Sequence, residues 1–386
     1  MKVLHVVPSL ALRHGGVSVS VRELCRGLAA EGLSVEIWST PRAYEARVDA
    51  PEDERLKSAG VKVRYFPVSP LPWLGERYAY SPLLGWVSRE ETRGFDLVHI
   101  HSLWLYPTLA AASSCVRSRV PYVISPCGAL DPYSIRVRGG LKRLYGLGIE
   151  RRNLQKASAV HFTSALEERQ AHSFGLSWRS AVIPRSLELE RIPDAPAARQ
   201  AEWKDRKILL FLGRLHPKKR LDLAAEAFAA LCRRRNDVQL VIAGPDEGSA
   251  APARRILEKA GVSDRVTWIG LVDASRRWSL LKTASLFLLP SEEENFGVTA
   301  LEAMAAGVPV FLSAQVGLAE EAARAHAGLI LGPDHSTWAA AADTLLEQPA
   351  QAAAMGQAGR RLVETEFSTR RIASRMKELY ESILHG

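Results

Sequence analysis

Apolar residues fall along this chain in short continuous runs, separated by stretches with helical spacing. "KVLHVV" at 2–7 and "KILLFL" at 207–212 each follow a lysine with an apolar run, then pass through a Gly- or charge-bearing loop into a helical pattern. The first helix carries Val17, Val21, Leu24 and Leu28 on one stripe, with Gly32 as its stop. The second carries Leu223, Ala227 and Leu231, with Asp222 as its expected cap. "LSVEIWST", "KVRYF", "DLVHIH", "YVIS" and "AVHFT" read as strands after the first start; "QLVIAG", "RVTWIG", "LFLLP", "VPVFLS" and "AGLIL" do so after the second. Apolar strands alternating with helices predict parallel sheets covered on both faces. Two such beginnings predict an α/β chain of two doubly wound, Rossmann-like domains.

At 386 residues the chain is too long for one core and suits two domains. We place the first domain at 1–185, a Pro-, Ala- and charge-rich linker at 186–205 and the second domain at 206–367. A last helix follows at 368–386, with Ile372, Met376, Leu379 and Ile383 as its buried stripe and Phe367 stapled onto Ile372. Open parallel sheets bind ligands at the carboxyl ends of their strands, so the strand-end loops of both domains are expected to face an interdomain cleft.

Composition narrows the class. The 47% hydrophobic and 24% charged content is that of a globular protein. No apolar run approaches the ~20 residues of a membrane span, and "MKVLHVVPSL" does not read as a signal peptide. Four cysteines without CxxC spacing predict neither a disulfide framework nor a zinc site, and so a cytoplasmic, reducing location. The net charge of +9 is concentrated: 117–156 holds nine basic residues against Asp131 and Glu150. Arg136, Arg138, Lys142 and Arg143, with Leu141, Leu144, Tyr145 and Leu147 between and beside them, could rest on an acceptor or on the anionic inner face of the plasma membrane. A solvated helix face is the plainer reading. "LPWLGERYAYSPLLGW" adds exposed-looking aromatics.

Two loops carry candidate chemistry. "GRLHPKKR" at 213–220 projects Arg214 and Lys219 after Gly213. An arginine fork with a lysine point charge suits a diphosphate, although an exposed basic loop would look the same. "SEEENFGVTALEAMAAGVPVF" holds Glu294 and Glu302 with seven residues between them. A helix starting near Gly297 would offer free amides to a phosphate. Glu302, one turn past Val298, could accept from hydroxyls on one side of that phosphate, and Glu294 from the other. One acid on each flank of a diphosphate describes a nucleotide sugar. Glu292 and Glu293 read as solvent charges.

At these residues the chain resembles a known family. "PSEEENFGVTALEAMAAGVPV" is similar to the E-x7-E signature of GT-B glycosyltransferases of retaining family 4, the glycosyl transferases group 1, and "FLGRLHPKKRLDL" to that family's Gly-Arg-Leu…Lys motif. "LHVVPSL…HGGVS", "DLVHIHSLW" and "ISPCGALDPYS" resemble its acceptor domain. The resemblance implies a GT-B fold, an N-terminal acceptor domain, a C-terminal donor domain and a C-terminal helix crossing back to the N-terminal domain. It implies that Arg214 and Lys219 bind the donor diphosphate, that Glu302 holds the ribose, and that Glu294 with the amides of Asn295, Phe296, Gly297 and Val298 orients sugar and phosphate. Gly15 and Gly16 would let a loop approach the donor. His101 would contact the transferred sugar or the acceptor. The chain departs from the family at Cys127-Gly128, where many relatives have His-Gly; at Arg185-Ser186, where a Pro-Asn-Gly turn is usual; and at Arg220, where glycine is usual.

The expected reaction is retaining transfer of a hexosyl group from a UDP- or GDP-sugar to a glycan or lipid-linked hydroxyl in cell-surface polysaccharide synthesis. No Asp-x-Asp pair occurs, so fixed cations are expected to serve in place of a metal, and no cofactor is expected. A same-fold epimerase or phosphorylase, a dinucleotide oxidoreductase, and a non-catalytic nucleotide-sugar or nucleic-acid-binding module are the alternatives. "RHGGVS" is not GxGxxG, and no RNA-binding or zinc motif appears, so no nucleic-acid partner is expected.

Overall fold

A computed structural model of the chain describes all residues except 12–15, 41–49, 133–145, 194–202 and 204. It forms two compact units, Met1–Ser186 with Thr369–Gly386, and Leu187–Ser368.

The first unit is built on strands β1 Lys2–Val7, β2 Ser34–Ser39, β3 Lys62–Tyr65, β4 Leu97–His101, β5 Tyr122–Ser125, β6 Ala159–Phe162 and β7 Ser180–Val182. Their order is β3-β2-β1-β4-β5-β6-β7, and every pair is parallel. The sequence pattern finds all but β7, which has three residues and is too short to show a run. Register sets the chemistry of one sheet face. His5 pairs with His99 and His101 with Ser125, while Ile124 pairs with Val160, one residue before Ser125 and His161. Side chains alternate faces with period two, so His5, His99, His101, Ser125 and His161 share a face.

Helix Thr369–Leu384 covers that face alongside helix Gly16–Ala30. The expected crossing back is therefore present. Gly27 allows it: a Cβ there would stand 2.8 Å from Ala373 Cβ and 2.9 Å from Thr369 Cγ2. The buried stripe is Ile372, Ala373, Met376 and Tyr380, with Leu379 and Ile383 half-buried beside it. Phe367 does not staple onto Ile372. It is buried in the second unit, with its ring centroid 6.1 Å from Phe296 and its carbonyl accepting from Leu187 N at 2.8 Å. The expected linker also begins inside that unit, since Leu189 and Ile192 pack on its core.

The second unit repeats the plan with β8 Lys207–Leu212, β9 Val238–Ala243, β10 Val266–Gly270, β11 Leu286–Leu289, β12 Val310–Ser313 and β13 Gly328–Leu331, in the order β10-β9-β8-β11-β12-β13, all parallel. Strand order therefore reverses between β1 and β4 in one sheet and between β8 and β11 in the other. Such switch points, where adjacent strand-end loops part in opposite directions, are where open α/β sheets hold ligands.

Candidate active site

In the second unit, the two loops at the switch point are those singled out by their residues. β8 is followed by Gly213, whose carbonyl lies against Gly244; a Cβ at Gly244 would stand 1.8 Å from that oxygen, so only glycine lets the two strand ends approach. The chain then makes a tight 3-10 turn, Pro217–Lys219, with His216 Nδ1 accepting from Lys218 N at 3.2 Å. Arg220 follows in the left-handed region with φ 52°. It adopts the conformation a glycine would take freely, at a cost of about 1 kcal/mol for a side chain. Its Nε donates to both oxygens of Asp222 at 3.1 Å. Asp222 is thus occupied inside the first turn of helix Leu221–Leu231 and is not its cap, which is Arg220.

β11 leads through a buried Ser291 into the acidic turn. Glu294 N donates to Gln315 O at 3.0 Å, and Gly317 N donates to Glu294 O at 2.9 Å, which pins the turn to the loop after β12. Gly297, φ 98°, caps helix Val298–Ala305, and a Cβ on it would meet Val316 Cγ1 at 2.8 Å. The expected helix start is therefore in place, with Phe296 anchored in the core below it. The amides of Val298 and Thr299 begin the helix and so have no intrahelical acceptor.

These loops bring Lys219 and Glu294 into a direct ion pair, with side chains 17% and 18% exposed. Arg214 is turned away from that pair. Its Nη1 lies 3.1 Å from Glu247 Oε2, on a side chain 64% exposed. Glu293 is not a solvent charge: it pairs with Lys218 at 3.2 Å and is 14% exposed. Glu302 is buried, with Oε1 3.3 Å from Arg277 and Oε2 buried without a partner. Burial pushes its carboxyl above the usual range, and Arg277 and Arg191 oppose that shift. Sequence reasoning missed Arg277 and Glu247. Neither has a local signal, because Arg277 on helix Ala274–Thr283 and Glu247 on the loop after β9 are both distant in sequence from their partners.

In the first unit the face shared by the histidines is a hydrogen-bonded chain. His161 Nε2 lies 2.8 Å from Ile183 O, which can only accept. His161 Nδ1 therefore accepts from Ser125 Oγ at 2.6 Å; Ser125 in turn accepts from His99 Nε2 at 2.6 Å; and His99 Nδ1 accepts from Tyr380 Oη at 2.6 Å. Neutral rings with fixed tautomers satisfy every link. His5 Nδ1 and His101 Nε2 share a hydrogen at 3.0 Å. Burial is the main cause that holds His5 down to about 3, His161 to about 4, and His99 and His101 well below 6.5. His5, His99 and His101 offer ligand nitrogens within 4.8 Å of one another. A metal would have to break the chain, because His99 keeps no free lone pair in it.

His101 is 4% exposed and lines a concavity with Cys127, Thr163 and Arg185. A second concavity, at the ends of β1 and β4, is lined by Pro8, Ser9, Ser18, Thr40, Ser102 and Cys127 among others. Cys127 has φ 54° and Gly128 φ 80°, so this pair makes a turn with both residues in the left-handed region. Glu167 clamps it, accepting from Gly128 N and Thr163 N, each at 2.7 Å. Gly16 opens helix Gly16–Ala30. Gly15, Arg136, Arg138, Lys142 and Arg143, with the nearby Leu141, Leu144 and Tyr145, lie outside the described residues. Trp73 and Trp86 are 62% and 60% exposed. Among the described residues no helix is long and apolar enough to cross a membrane.

The family model described as Glycosyl transferases group 1 matches residues 195–362, and that described as Glycosyl transferase 4-like domain matches residues 15–186. A D-inositol 3-phosphate glycosyltransferase of Kineococcus radiotolerans is 30% identical over 376 residues, covering 89% of this chain and 85% of that protein. Sucrose-phosphate synthase from Thermosynechococcus elongatus superposes with a TM-score of 0.76 at 22% identity, over 100% of this chain and 99% of that one. Anabaena HepE in complex with UDP superposes with a TM-score of 0.79 at 18% identity, over 99% of this chain and 100% of that one. The two structural likenesses bear on the fold.

Proposed function

The chain belongs to the group 1 glycosyl transferases of GT-B fold and is a glycosyltransferase, and from that premise we propose that it moves a hexosyl group, with retention, from a nucleotide-diphosphate sugar to a hydroxyl of a glycan or lipid-linked acceptor. The observation that carries this reading is the placement of Lys219 beside Glu294 at the β8–β11 switch point, at the start of helix Val298–Ala305 and near buried Glu302.

Each group has a task there. As the anomeric carbon gains oxocarbenium character, negative charge grows on the departing phosphate. Lys219 and the amides of Gly297 and Val298 stabilise that charge more in the transition state than in the ground state. Arg214, exposed and held by one acid, exchanges Glu247 for phosphate oxygens. The unpartnered Oε2 of Glu302 accepts from a ribose hydroxyl. Glu294, released by Lys219, accepts from the sugar, with the amides of Asn295 and Phe296 beside it. His101 is assigned to the transferred sugar or the acceptor hydroxyl. Gly15, Gly16 and Gly213 give the backbone close approach. Fixed cations and peptide dipoles take the place of a metal, and no cofactor is required.

For the acceptor, exposed Trp73 and Trp86 support a lipid-linked molecule approached at a membrane surface, in keeping with a role in cell-surface polysaccharide synthesis. The relatives' own name adds inositol 3-phosphate to the acceptor panel. Thermal-shift screening against UDP-, GDP- and ADP-sugars with and without EDTA tests the donor directly, since a bound ligand raises apparent stability by mass action. One donor class should stabilise the protein equally with and without chelator, and NMR of the product should show the donor's anomeric configuration kept. Turnover abolished by EDTA and restored by manganese would overturn the metal-free assignment. Binding to anionic vesicles that survived neutralisation of Arg136, Arg138, Lys142 and Arg143 would remove those residues from the membrane contact.

A further inference from the structure

Arg185 stands just after β7, within Ile183-Pro184-Arg185-Ser186. It is 9% exposed. A guanidinium taken out of water needs an anion or a full set of acceptors. Arg185 has neither. Its Nη1 donates to Ser20 Oγ at 3.1 Å, its Nε is buried without a partner, and no carboxylate among the described residues pairs with it. Glu23, a buried acid in the same unit, instead accepts from Ser186 Oγ at 3.5 Å.

The guanidinium lines the concavity that also holds His101, Ser125, Cys127, His161 and Thr163. Arg185 is the sole formal cation among the described residues lining it, for His101 and His161 are neutral links in the hydrogen-bonded network. The Cys127 side chain stays a thiol, its pKa pushed up to about 11 by burial. Hydroxyls of Ser20 and Thr163 also line this concavity, and Ser20 already binds the guanidinium. A buried fork with open donors, in a wall that otherwise carries no charge, is built for a planar or tetrahedral oxyanion.

We propose that this pocket is an anion subsite, in which Arg185 receives a carboxylate or phosphate group carried either by the transferred sugar or by the acceptor. The inference rests on the glycosyltransferase reading for what the anion is attached to. It makes Arg185 a specificity-determining residue: a substrate bearing the anion completes its hydrogen bonds, and a neutral analogue leaves it unpaired.

Isothermal titration of the full chain tests this with matched pairs of probes. UDP-glucuronate against UDP-glucose places the anion on the transferred sugar. Glucuronate or glucose 6-phosphate against glucose places it on the acceptor, and UDP alone is the control for the donor site. At least one anionic probe should bind roughly tenfold or more tightly than its neutral twin, in line with a charge-assisted bidentate contact. In Arg185→Met that preference should collapse while the affinity for UDP is kept. Arg185→Lys should keep a reduced preference, and it serves should the methionine variant not fold. Equal affinities within every pair, or a preference that survives in Arg185→Met, overturns the proposal. UDP binding without any anionic preference would sink the subsite and leave the donor assignment standing. Anionic preference among the free sugars without UDP binding would do the reverse.

Discussion

Lowering the pH should unfold the first unit well before the second, because four buried imidazoles of the first unit are held neutral. His5, His99, His101 and His161 all have folded pKa values below the ordinary 6.5. Their contribution to stability is fully present above 6.5. Below it the unfolded chain binds a proton at each position and the folded chain does not, so stability falls until the folded groups titrate, at about 3 for His5 and about 4 for His161. Each such group costs about 1.4 kcal/mol per pH unit. Glu150, in the same unit, works against this: burial raises its pKa, so it takes up its proton earlier in the folded state as pH falls. Three to four net protons give a slope of about 4 to 5 kcal/mol per pH unit. A domain with about 5–15 kcal/mol of stability then melts within roughly one to four pH units below 6.5. Urea melts followed by hydrogen-exchange mass spectrometry, from about pH 7.5 down to about pH 4.5, read the two units separately. Peptides covering β1, β4 and β6 should lose protection first, together with helix Thr369–Leu384, whose Tyr380 bonds His99. The second unit serves as the internal reference, since none of the four histidines lies in it. Protection of the first unit that stayed constant between about pH 7 and pH 5 would refute the neutral-imidazole chain.

Three further outcomes are expected. Glu302→Ala should weaken nucleotide-sugar binding by about 1.5–3 kcal/mol, roughly ten- to a hundredfold in Kd by calorimetry, since its buried Oε2 is open to a ligand hydroxyl; unchanged affinity ends the ribose assignment. Lys219→Met should lower UDP affinity roughly tenfold and reduce its salt dependence, and a variant that binds as tightly as the parent at low salt would show that Lys219 only neutralises Glu294. Gly27→Val should lift helix Thr369–Leu384 off the first unit, because the added Cβ already meets Ala373 at 2.8 Å; exchange protection of that helix equal to the parent's would contradict the close approach.

The family and the plan of the fold were legible from short windows. Strand runs, helix stripes and the acidic turn before Gly297 each act within about ten residues, and backbone sterics with side-chain periodicity fix them locally. That reach also explains what was lost: β7 is too short to make a run, and Asp222 has the right chemistry for a cap yet is bound by Arg220. Phe367 has the right spacing for a staple yet is drawn into a different core.

The residue types at the site were equally visible, as Lys219, Glu294 and Glu302 stand in a recognisable pattern. Their partners were not. Arg277 on Glu302, Glu247 on Arg214, and the sheet face shared by His5, His99, His101, Ser125 and His161 all depend on which elements lie side by side. The sequence by itself determined the elements, the family and the acids and cations available to the reaction. Tertiary structure alone decided which polar atoms of charged side chains are buried without a partner, as at Glu302 Oε2 and Arg185 Nε, because burial and pairing are properties of packed neighbours far apart along the chain.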